Sequence, residues 1–462
     1  MSHREFLKNL KINFKIVLRR YDLAIVGKAL INSAILKCTI LVSRGIISKI
    51  KFSTHNIKKQ AERVITLNQN EIMLPGMIDI HVHLRDLMLA YKEDVYTGSC
   101  AAAAGGVTVV CDMPNTVPFI NTYDKLLIKM NAFKKSVVDY GIYLGLPDNI
   151  EELEKAKEHI VGLKIYPKDY NKHFFAEEII RVSKLNILTV FHAEIHNYIA
   201  NIRSLFKNKI RNMLVHNIIR NKLVELNCIQ YLYDILNKLN AGRFHFTHVS
   251  SAQAILFLKK WKRVQKNITV DTCPHYILLT NKLLRKIGGF AKVNPPLRSE
   301  NDRRVLLEAL IDGTIDAIVS DHAPHALNEK EREFYDEVPS GFPGLETTLP
   351  LLLTLVNKKI LSLTTLVKVF SKNPAKILKI YDRFGSISEG KYCSIVIVDL
   401  KKSYKIDSSK FFSKAKFSPF EGYRVTGSIE QTIVRGTIVY SNGEIWLKEG
   451  HGRNIKELLK SE

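Results

Sequence analysis

Eight apolar runs of strand length, most of them separated by helix-like stretches, constrain the fold of this 462-residue chain more than any other feature. The runs cover residues 77–83, 107–112, 141–146, 160–165, 187–192, 243–248, 268–272 and 316–321. The helix-like stretches include 93–104, 121–138, 150–158 and 174–184. Eight strands that alternate with helices are the pattern of a closed parallel barrel inside a ring of helices. We therefore predict an α/β fold, the (β/α)₈ or TIM barrel.

Both ends of the chain are rich in strand patterns and lack the alternation of the middle. Strand-like runs lie at 22–27, 40–42 and 46–50, and again at 394–399 and 431–440. We predict that the two ends assemble one small β-sandwich domain beside the barrel. The expected organisation is a basic N-terminal extension at 1–20, a composite β domain at 21–70 and 386–450, and a barrel domain at 71–385.

The chain is strongly basic, because 69 Lys and Arg residues against 45 Asp and Glu residues give a net charge of +24. Such a charge can attract RNA, DNA or a membrane surface. Here it is spread along the chain and accompanied by no nucleic-acid motif, so we expect no specific nucleic-acid partner. One stretch differs, since residues 195–224 contain no acidic residue. Its apolar spacing predicts an amphipathic helical excursion with a solvated basic face.

The six cysteines are scattered without a C-x-x-C pair, which is the pattern of neither a disulfide framework nor a zinc ribbon. We expect reduced, buried thiols and a cytoplasmic location. No apolar run approaches the length needed to cross a membrane. The first twenty residues lack the apolar core and cleavage site of a signal peptide. A transit peptide remains an alternative there, and an added N-terminal extension is the prediction.

Residues that can bind a metal stand at the carboxyl ends of five of the eight runs. Side chains alternate along a strand, so His81 and His83 share one face. By itself this pair is a weak zinc signal, because a polar patch at a strand end has the same pattern. The full set is His81, His83, Lys164, His192, His248 and Asp321. Since the carboxyl ends of barrel strands meet at one mouth, we predict a metal site there.

Longer motifs surround these residues. They are Pro-Gly-x-Ile-Asp-x-His-Val-His-Leu-Arg at 75–85, Lys-Glu-Asp at 92–94, Asp-Met-Pro-Asn-Thr at 112–116, Val-Asn-Pro-Pro-Leu-Arg at 293–298, Ser-Asp-His-Ala-Pro-His at 320–325 and Gly-Phe-Pro-Gly-Leu-Glu-Thr at 341–347. By these motifs the chain resembles the amidohydrolase superfamily and, within it, the dihydroorotases. The resemblance extends from about Asp22 to Ile445.

The resemblance implies a centre with two Zn²⁺ ions per subunit. His81, His83 and Asp321 would hold one ion, and His192 and His248 the other. Lys164 would bridge the two ions as a carboxylated lysine, because a carbamate supplies anionic oxygens that an ammonium group lacks. Some members of the family lack this lysine and use one zinc, and Lys164 could instead reach solvent. The presence of the lysine favours two metals, which together lower the pKa of a water molecule between them.

The resemblance also implies a reaction, the reversible cyclisation of N-carbamoyl-L-aspartate to L-dihydroorotate in pyrimidine (UMP) biosynthesis. Asp321 would be the catalytic acid and base. Substrate-binding positions carried over from the family are Arg85, Asn115, Asn294, His325, Pro343 and Gly344. Arg85 suits a carboxylate because guanidinium binds it in a bidentate manner. Asn115 could instead cap a turn, and His245 and His275 are expected to be structural.

The sequence departs from the family pattern at three places, which affects what can be predicted about a loop that closes over the substrate. Asp86 to Leu89 replace the usual Glu-Pro-Gly, and His275 is followed by Tyr276 instead of a second histidine. Residues 167–171 do not match the Thr-containing flexible loop that covers the substrate in some members. The lid mechanism is therefore left open, whereas every expected metal ligand is present.

Several alternatives share part of this evidence. An allantoinase or a dihydropyrimidinase-like enzyme would have the same barrel and metals, although the motifs with Arg85, Asn115 and His325 favour a substrate that carries a carboxylate. A non-catalytic scaffold partnered with aspartate transcarbamoylase is a second alternative, and such proteins usually lose ligands. We expect a homo-oligomer, and aspartate transcarbamoylase remains a possible partner.

Overall fold

A computed structural model describes residues 20–52, 60–206, 209–239 and 241–460. Nearly all of the predicted N-terminal extension, residues 1–19, lies outside the described residues. Seventeen strands are numbered β1 to β17 in chain order. Their arrangement in two sheets of eight and nine strands confirms the predicted fold class.

The eight-stranded sheet is the predicted parallel barrel. Its strands are β6 (Met77–Val82), β7 (Val107–Asp112), β8 (Asp139–Gly145), β9 (Gly162–Ile165), β10 (Leu188–Phe191), β11 (Arg243–Phe246), β12 (Ile268–Thr272) and β13 (Ala317–Ile318). Each strand pairs with its neighbour in sequence, from β6 to β13. A parallel bridge between Val82 and His322 joins the last strand to the first. Every predicted barrel strand is therefore confirmed.

Helices surround the barrel, and the four predicted helical stretches are confirmed. The α-helices are Val95–Ala104, Tyr123–Ala132, Ile150–Ala156, Phe175–Lys184, His196–Ser204, Val215–Ile219, Lys222–Leu236, Ala252–Val264, Pro274–Leu278, Leu283–Ile287, Glu300–Ile311, Leu327–Lys330, Leu345–Asn357, Leu363–Val367, Asn373–Ile377 and Ile455–Leu458. Side-chain caps begin several of them. The Ser299 hydroxyl, for example, accepts from the backbone N–H of Asp302 at the start of Glu300–Ile311. No described helix is long and apolar enough to span a bilayer.

The nine-stranded sheet combines both ends of the chain, as predicted. Its strands are β1 (Tyr21–Ile31), β2 (Ala34–Ser43), β3 (Ile46–Lys51), β4 (Ala61–Thr66), β5 (Glu71–Pro75), β14 (Ile395–Lys405), β15 (Arg424–Val434), β16 (Thr437–Ser441) and β17 (Glu444–Ile445). β5 pairs with β1 on one side and with β14 on the other, which joins the two ends. Ile25, Ile40, Met73 and Ile395 share its core.

Gly76 marks the passage from this sheet into the barrel. It lies between β5 and β6, and its N–H donates to the Ser394 carbonyl at 2.9 Å. A Cβ atom at this position would lie 2.2 Å from the Thr108 hydroxyl oxygen, so only glycine fits. The close approach fixes where β6 enters the barrel, and β6 carries the His81 and His83 side chains to the mouth.

The basic stretch at 195–224 is helical in part, in line with the predicted helical excursion. It contains the helices His196–Ser204 and Val215–Ile219 and the start of Lys222–Leu236. Ion pairs connect it to the loop that follows Leu327–Lys330: Arg203 pairs with Asp336, and Arg211 Nε lies 3.1 Å from Glu333 Oε1. The excursion therefore lies against a loop at the mouth of the barrel and does not stand free in solvent.

Candidate metal centre

A cavity of about 560 Å³ opens at the carboxyl ends of the barrel strands, where the ligand-type residues were expected to meet. Its walls include all six predicted ligands together with Arg85, Asn115 and Asn294. Other lining residues are Phe119, Tyr166, Pro167, Lys168, Asp169, His196, Arg220, Val293, Ala323, Ser340 and Gly341. The structure thus brings together six predicted ligands that are up to 240 residues apart in sequence.

His81, His83 and Asp321 form the tightest group of ligand atoms in this cavity. The Nε2 atoms of His81 and His83 lie 3.5 and 3.3 Å from Asp321 Oδ1. The group is buried, and its three ligand atoms lie within 4.8 Å of one another. Nitrogen and carboxylate oxygen around one point are donors that Zn²⁺ accepts.

Hydrogen bonds at Nδ1 hold the imidazole rings of His81 and His83 and leave their Nε2 atoms available for a metal. His83 Nδ1 lies 2.6 Å from the Asn115 amide oxygen, which can only accept, so Nδ1 carries the proton. His81 Nδ1 lies 2.5 Å from the Thr247 hydroxyl, which itself donates to Asp271 at 3.0 Å. Both Nε2 lone pairs are therefore free for a metal, as is usual where outer groups orient histidine ligands.

His192 is oriented by a buried ion pair on the other wall. Its Nε2 lies 2.7 Å from Glu194 Oε2, and the same oxygen accepts from Arg220. Burial raises the pKa of Glu194, but the Arg220 charge and the His192 hydrogen bond outweigh it and lower that pKa to about 2. Because Glu194 is ionised, it fixes the proton of His192 on Nε2 and leaves Nδ1 free.

His248 lies between the two groups. Its ring centroid is 4.4 Å from that of His192 and 5.0 Å from that of His81. The ring is buried, and its Nδ1 has no hydrogen-bond partner among the described residues. Asp271 accepts from the backbone N–H of His248 and so holds the turn that presents the ring.

Lys164 is fully buried in the floor of the cavity, which contradicts the alternative that it reaches solvent. Its Nζ has no hydrogen-bond partner within the described part of the chain. Burial lowers the pKa of Lys164 to about 7, so much of it is a neutral amine at neutral pH. A buried amine without a partner, among histidines with free lone pairs, fits the donor set of the expected two-metal centre.

Arg85 reaches the cavity from the loop after β6 and is buried there. Its Nε donates to the Pro324 carbonyl at 3.3 Å, and a terminal nitrogen lies 3.3 Å from His325 Nε2. Among the described residues, no carboxylate forms an ion pair with Arg85. His325 is held on its other side, since Lys92 Nζ lies 3.1 Å from Nδ1. A buried cation that faces a cavity without a counter-ion favours an anionic ligand.

The other predicted substrate contacts divide into two kinds. Asn294 lines the cavity, and its side-chain oxygen is buried with no partner in the described residues. His325 does not line the cavity, and its Nε2 lies 3.1 Å from the Ser340 carbonyl. Pro343 and Gly344 do not line it either, and the Gly344 N–H donates to His322 Nδ1 at 3.2 Å. Their place in the wall is taken by Ser340 and Gly341. This loop therefore presents an earlier part of its backbone than the family motif suggested.

Several residues that orient the site were missed by sequence reasoning. Asp271 accepts from Thr247, from the His248 backbone and from His245 Nε2 at 2.6 Å, so His245 has the structural role that was expected. Glu194 and Arg220 orient His192. The one local signal was Glu194, an acidic residue two positions after a ligand. The others belong to different strands or to the basic excursion, and no spacing rule connects them.

Arg220→Gln is expected to weaken zinc binding about 10- to 100-fold, because Glu194 would lose the cation that keeps it aligned with His192. Competition with a chromophoric zinc chelator measures this directly. Arg203→Gln is the matched control, since it removes the same charge from a partly exposed pair in the same excursion. Equal zinc affinity in Arg220→Gln and wild type would show that Glu194 orients His192 without Arg220.

The sequence and the fold are those of a known protein family. The model of the amidohydrolase family matches residues 72–439, and the chain belongs to that family. The dihydroorotase of Methanosarcina acetivorans is 34% identical over 451 residues, covering 92% of this chain and 93% of that protein. The dihydroorotase of Pyrococcus abyssi is 35% identical over 445 residues, covering 94% and 99%. The resemblance to dihydroorotases is confirmed, and the chain is a hydrolase acting on cyclic amides.

Solved structures with the same fold have related names. L-hydantoinase (dihydropyrimidinase) from Arthrobacter aurescens matches with a TM-score of 0.86 at 30% identity, covering 94% of this chain and 99% of that one. Dihydropyrimidinase from Brevibacillus agri matches with a TM-score of 0.87 at 26% identity, covering 94% and 98%. These similarities support the barrel with its composite β domain. Which cyclic amide is the substrate has to be inferred from the residues of the cavity.

Proposed function

We propose that this protein is a zinc-dependent dihydroorotase that interconverts N-carbamoyl-L-aspartate and L-dihydroorotate in pyrimidine biosynthesis. The observation that carries the proposal is Arg85, a buried guanidinium that faces the cavity and has no ion-pair partner among the described residues. Dihydroorotate carries a carboxylate that such a cation can bind, whereas dihydrouracil and hydantoin carry none. The family supplies the cyclic-amide chemistry, and Arg85 supports an acidic substrate.

The donor set supports two zinc ions. His81, His83 and Asp321 would hold one, and His192 and His248 the other. Lys164 would join them after its neutral amine attacks CO₂, which forms an N–C bond and releases one proton to give a carbamate. Its lowered pKa, caused by burial, supplies the neutral amine that this step needs. When bound, two zinc ions polarise the amide carbonyl and activate water at neutral pH.

The chain's own residues then position the substrate and move protons. Arg85 holds the carboxylate at one end of the cavity, with His325, which does not line the cavity, against its guanidinium. Asn294 offers its unpartnered side-chain oxygen to the ring amide. In ring opening, the Asp321 carboxylate takes the proton of the attacking water and delivers it to the departing ring nitrogen. In ring closure, it removes the proton from the ureido nitrogen. Asn115 adds a role of its own, because its amide oxygen holds the His83 proton on Nδ1.

The direct test is turnover of dihydroorotate by the zinc-loaded full chain, measured as the loss of substrate absorbance. Allantoin and dihydrouracil serve as controls. We expect dihydroorotate to react and the other two to react at least about 100-fold more slowly, since they cannot neutralise Arg85. Faster turnover of allantoin or dihydrouracil would reassign the enzyme to another cyclic amide, and no turnover of any of them would favour a requirement for a partner.

Arg85→Gln is expected to raise KM for dihydroorotate about 100-fold, equivalent to about 2.7 kcal/mol, and to change kcat less. The reason is loss of a charge-assisted contact to a carboxylate that does not react. Steady-state kinetics with measured zinc content checks it. Lys135→Gln is a suitable control, because Lys135 is a partly exposed cation paired with Asp86, one residue beyond Arg85. An unchanged KM in Arg85→Gln would rule out this assignment of the carboxylate site.

Location, assembly and domain boundaries complete the proposal. All six cysteines lie in the described chain as free, buried thiols, which supports a reducing, cytoplasmic location. The boundaries proposed from sequence place a composite β domain at 21–70 and 386–450 and the barrel at 71–385, although β5 (Glu71–Pro75) pairs within the nine-stranded sheet. A homo-oligomer and an aspartate transcarbamoylase partner are retained as proposals, which size-exclusion chromatography with and without that enzyme would test.

A further inference from the structure

A second group of possible metal ligands lies beside the candidate metal centre and shares one residue with it. Cys273 and His275 follow β12, and Asp321 follows β13, the neighbouring strand. One ligand atom from each of the three lies within 4.8 Å of the other two. All three side chains are buried, and only Asp321 lines the cavity. The group is therefore a buried cluster of ligand atoms behind Asp321.

The chemistry of this group differs from that of the first. It offers sulfur, nitrogen and oxygen, a combination that suits thiophilic divalent cations better than the nitrogen and oxygen set of His81 and His83. His275 adds an independent observation, because its Nε2 is buried and has no hydrogen-bond partner among the described residues. A buried ring nitrogen without a partner is an unusual feature that a ligand would explain.

The position of Cys273 separates it from the other cysteines. Cys38, Cys100, Cys111, Cys228 and Cys393 are buried as well. Of the cysteines in the described chain, only Cys273 belongs to a group of three residues that could hold a metal. The feature is thus the combination of thiol, imidazole and carboxylate at the ends of two adjacent strands.

We propose that Cys273, His275 and Asp321 form an inhibitory site for thiophilic divalent cations such as Cd²⁺, which competes with the catalytic centre for Asp321. On binding, the Cys273 thiol releases its proton to solvent and the sulfur coordinates the cation, with no change of oxidation state. Asp321 turns toward the bound cation and away from His81 and His83. Binding does not depend on the proposed dihydroorotase activity, whereas the inhibition rests on it.

Cadmium titration of the metal-stripped full chain tests the binding. A thiolate-to-cadmium charge-transfer band in the ultraviolet should saturate at about one equivalent per chain in the wild type. It should disappear in Cys273→Ser and persist in Cys38→Ser, a matched control in the β domain. His275→Asn should weaken cadmium binding at least about 10-fold. A band that persists in Cys273→Ser, or an affinity unchanged in His275→Asn, would overturn the three-ligand site.

Inhibition of the zinc-loaded enzyme provides the functional test. The cadmium concentration that halves dihydroorotate turnover should rise at least about 10-fold in Cys273→Ser and stay unchanged in Cys38→Ser. Inhibition that is equally strong in Cys273→Ser would show that cadmium acts by replacing zinc, which overturns the proposal. If the wild type turns over no dihydroorotate without cadmium, the proposed function has failed, and the charge-transfer titration still decides whether the site exists.

Discussion

Asp321→Asn is expected to lower kcat for dihydroorotate by about 10³-fold while leaving the fold intact. The reason is that an amide cannot accept the proton which the carboxylate takes from water and returns to the ring nitrogen, and such transfers contribute 10²- to 10⁴-fold. Asn has nearly the shape of Asp, so the close packing around His81 and His83 is retained. Steady-state kinetics and zinc analysis on the same preparations give the measurement.

Two comparisons make the Asp321 result specific. Asp316→Asn is the same chemical change at the opposite end of the same strand, where Asp316 pairs with Lys262 and accepts from the Val270 N–H at 2.8 Å. It should retain wild-type kcat. If Asp321→Asn keeps its zinc and more than about a tenth of the wild-type kcat, another group moves the proton, and the role assigned to Asp321 is wrong.

Lys164→Ala is expected to reduce the zinc content from two ions to at most one per chain and kcat by about 10³-fold. Removing the bridging group would separate His192 and His248 from the other ligands, and a metal contributes several kcal/mol to stabilising the transition state. Zinc content by mass spectrometry and kinetics report the two effects separately. Stability should fall little, because the variant also removes a buried amine without a partner.

Chemical rescue distinguishes a bridging group from a simple positive charge. A short carboxylate such as propionate can occupy the space left in Lys164→Ala and supply the missing oxygens, so it should restore zinc content and part of the activity. Lys168→Ala removes an exposed lysine at the mouth of the same cavity and should keep two zinc ions. Loss of zinc in Lys168→Ala, or two zinc ions in Lys164→Ala, would contradict the bridging role.

The two variants also separate the chemistry from the metals. Asp321→Asn is expected to lose turnover with zinc still bound, whereas Lys164→Ala loses both together. Arg220→Gln should lower zinc affinity with a smaller effect on turnover at saturating zinc, since Glu194 still accepts from His192. If one variant shows a different combination of turnover and zinc binding, the role assigned to the residue changed in that variant is wrong.

The fold class and the candidate ligands could both be predicted from the amino-acid sequence. Both rest on local patterns. Buried strands appear as short apolar runs, and helices show apolar residues at a spacing of three to four, so the eight strands and the four helices between the first five strands were recognisable. Placing His192, His248 and Asp321 in one site needed one further rule, that parallel strands of a barrel end at the same mouth. The confirmed family resemblance added the chemistry of cyclic amides.

How each side chain is held, and which charges are buried, can be seen only in the folded chain. The orientation of His192 depends on Glu194 and on Arg220, which comes from the basic excursion 28 residues beyond the ligand. The lowered pKa of Lys164 depends on complete burial, because desolvation disfavours an ammonium group. Likewise, Ser340 and Gly341 replace Pro343 and Gly344 in the cavity wall. Proton positions and pKa values depend on neighbours in space, and a periodic pattern in sequence contains no information about them.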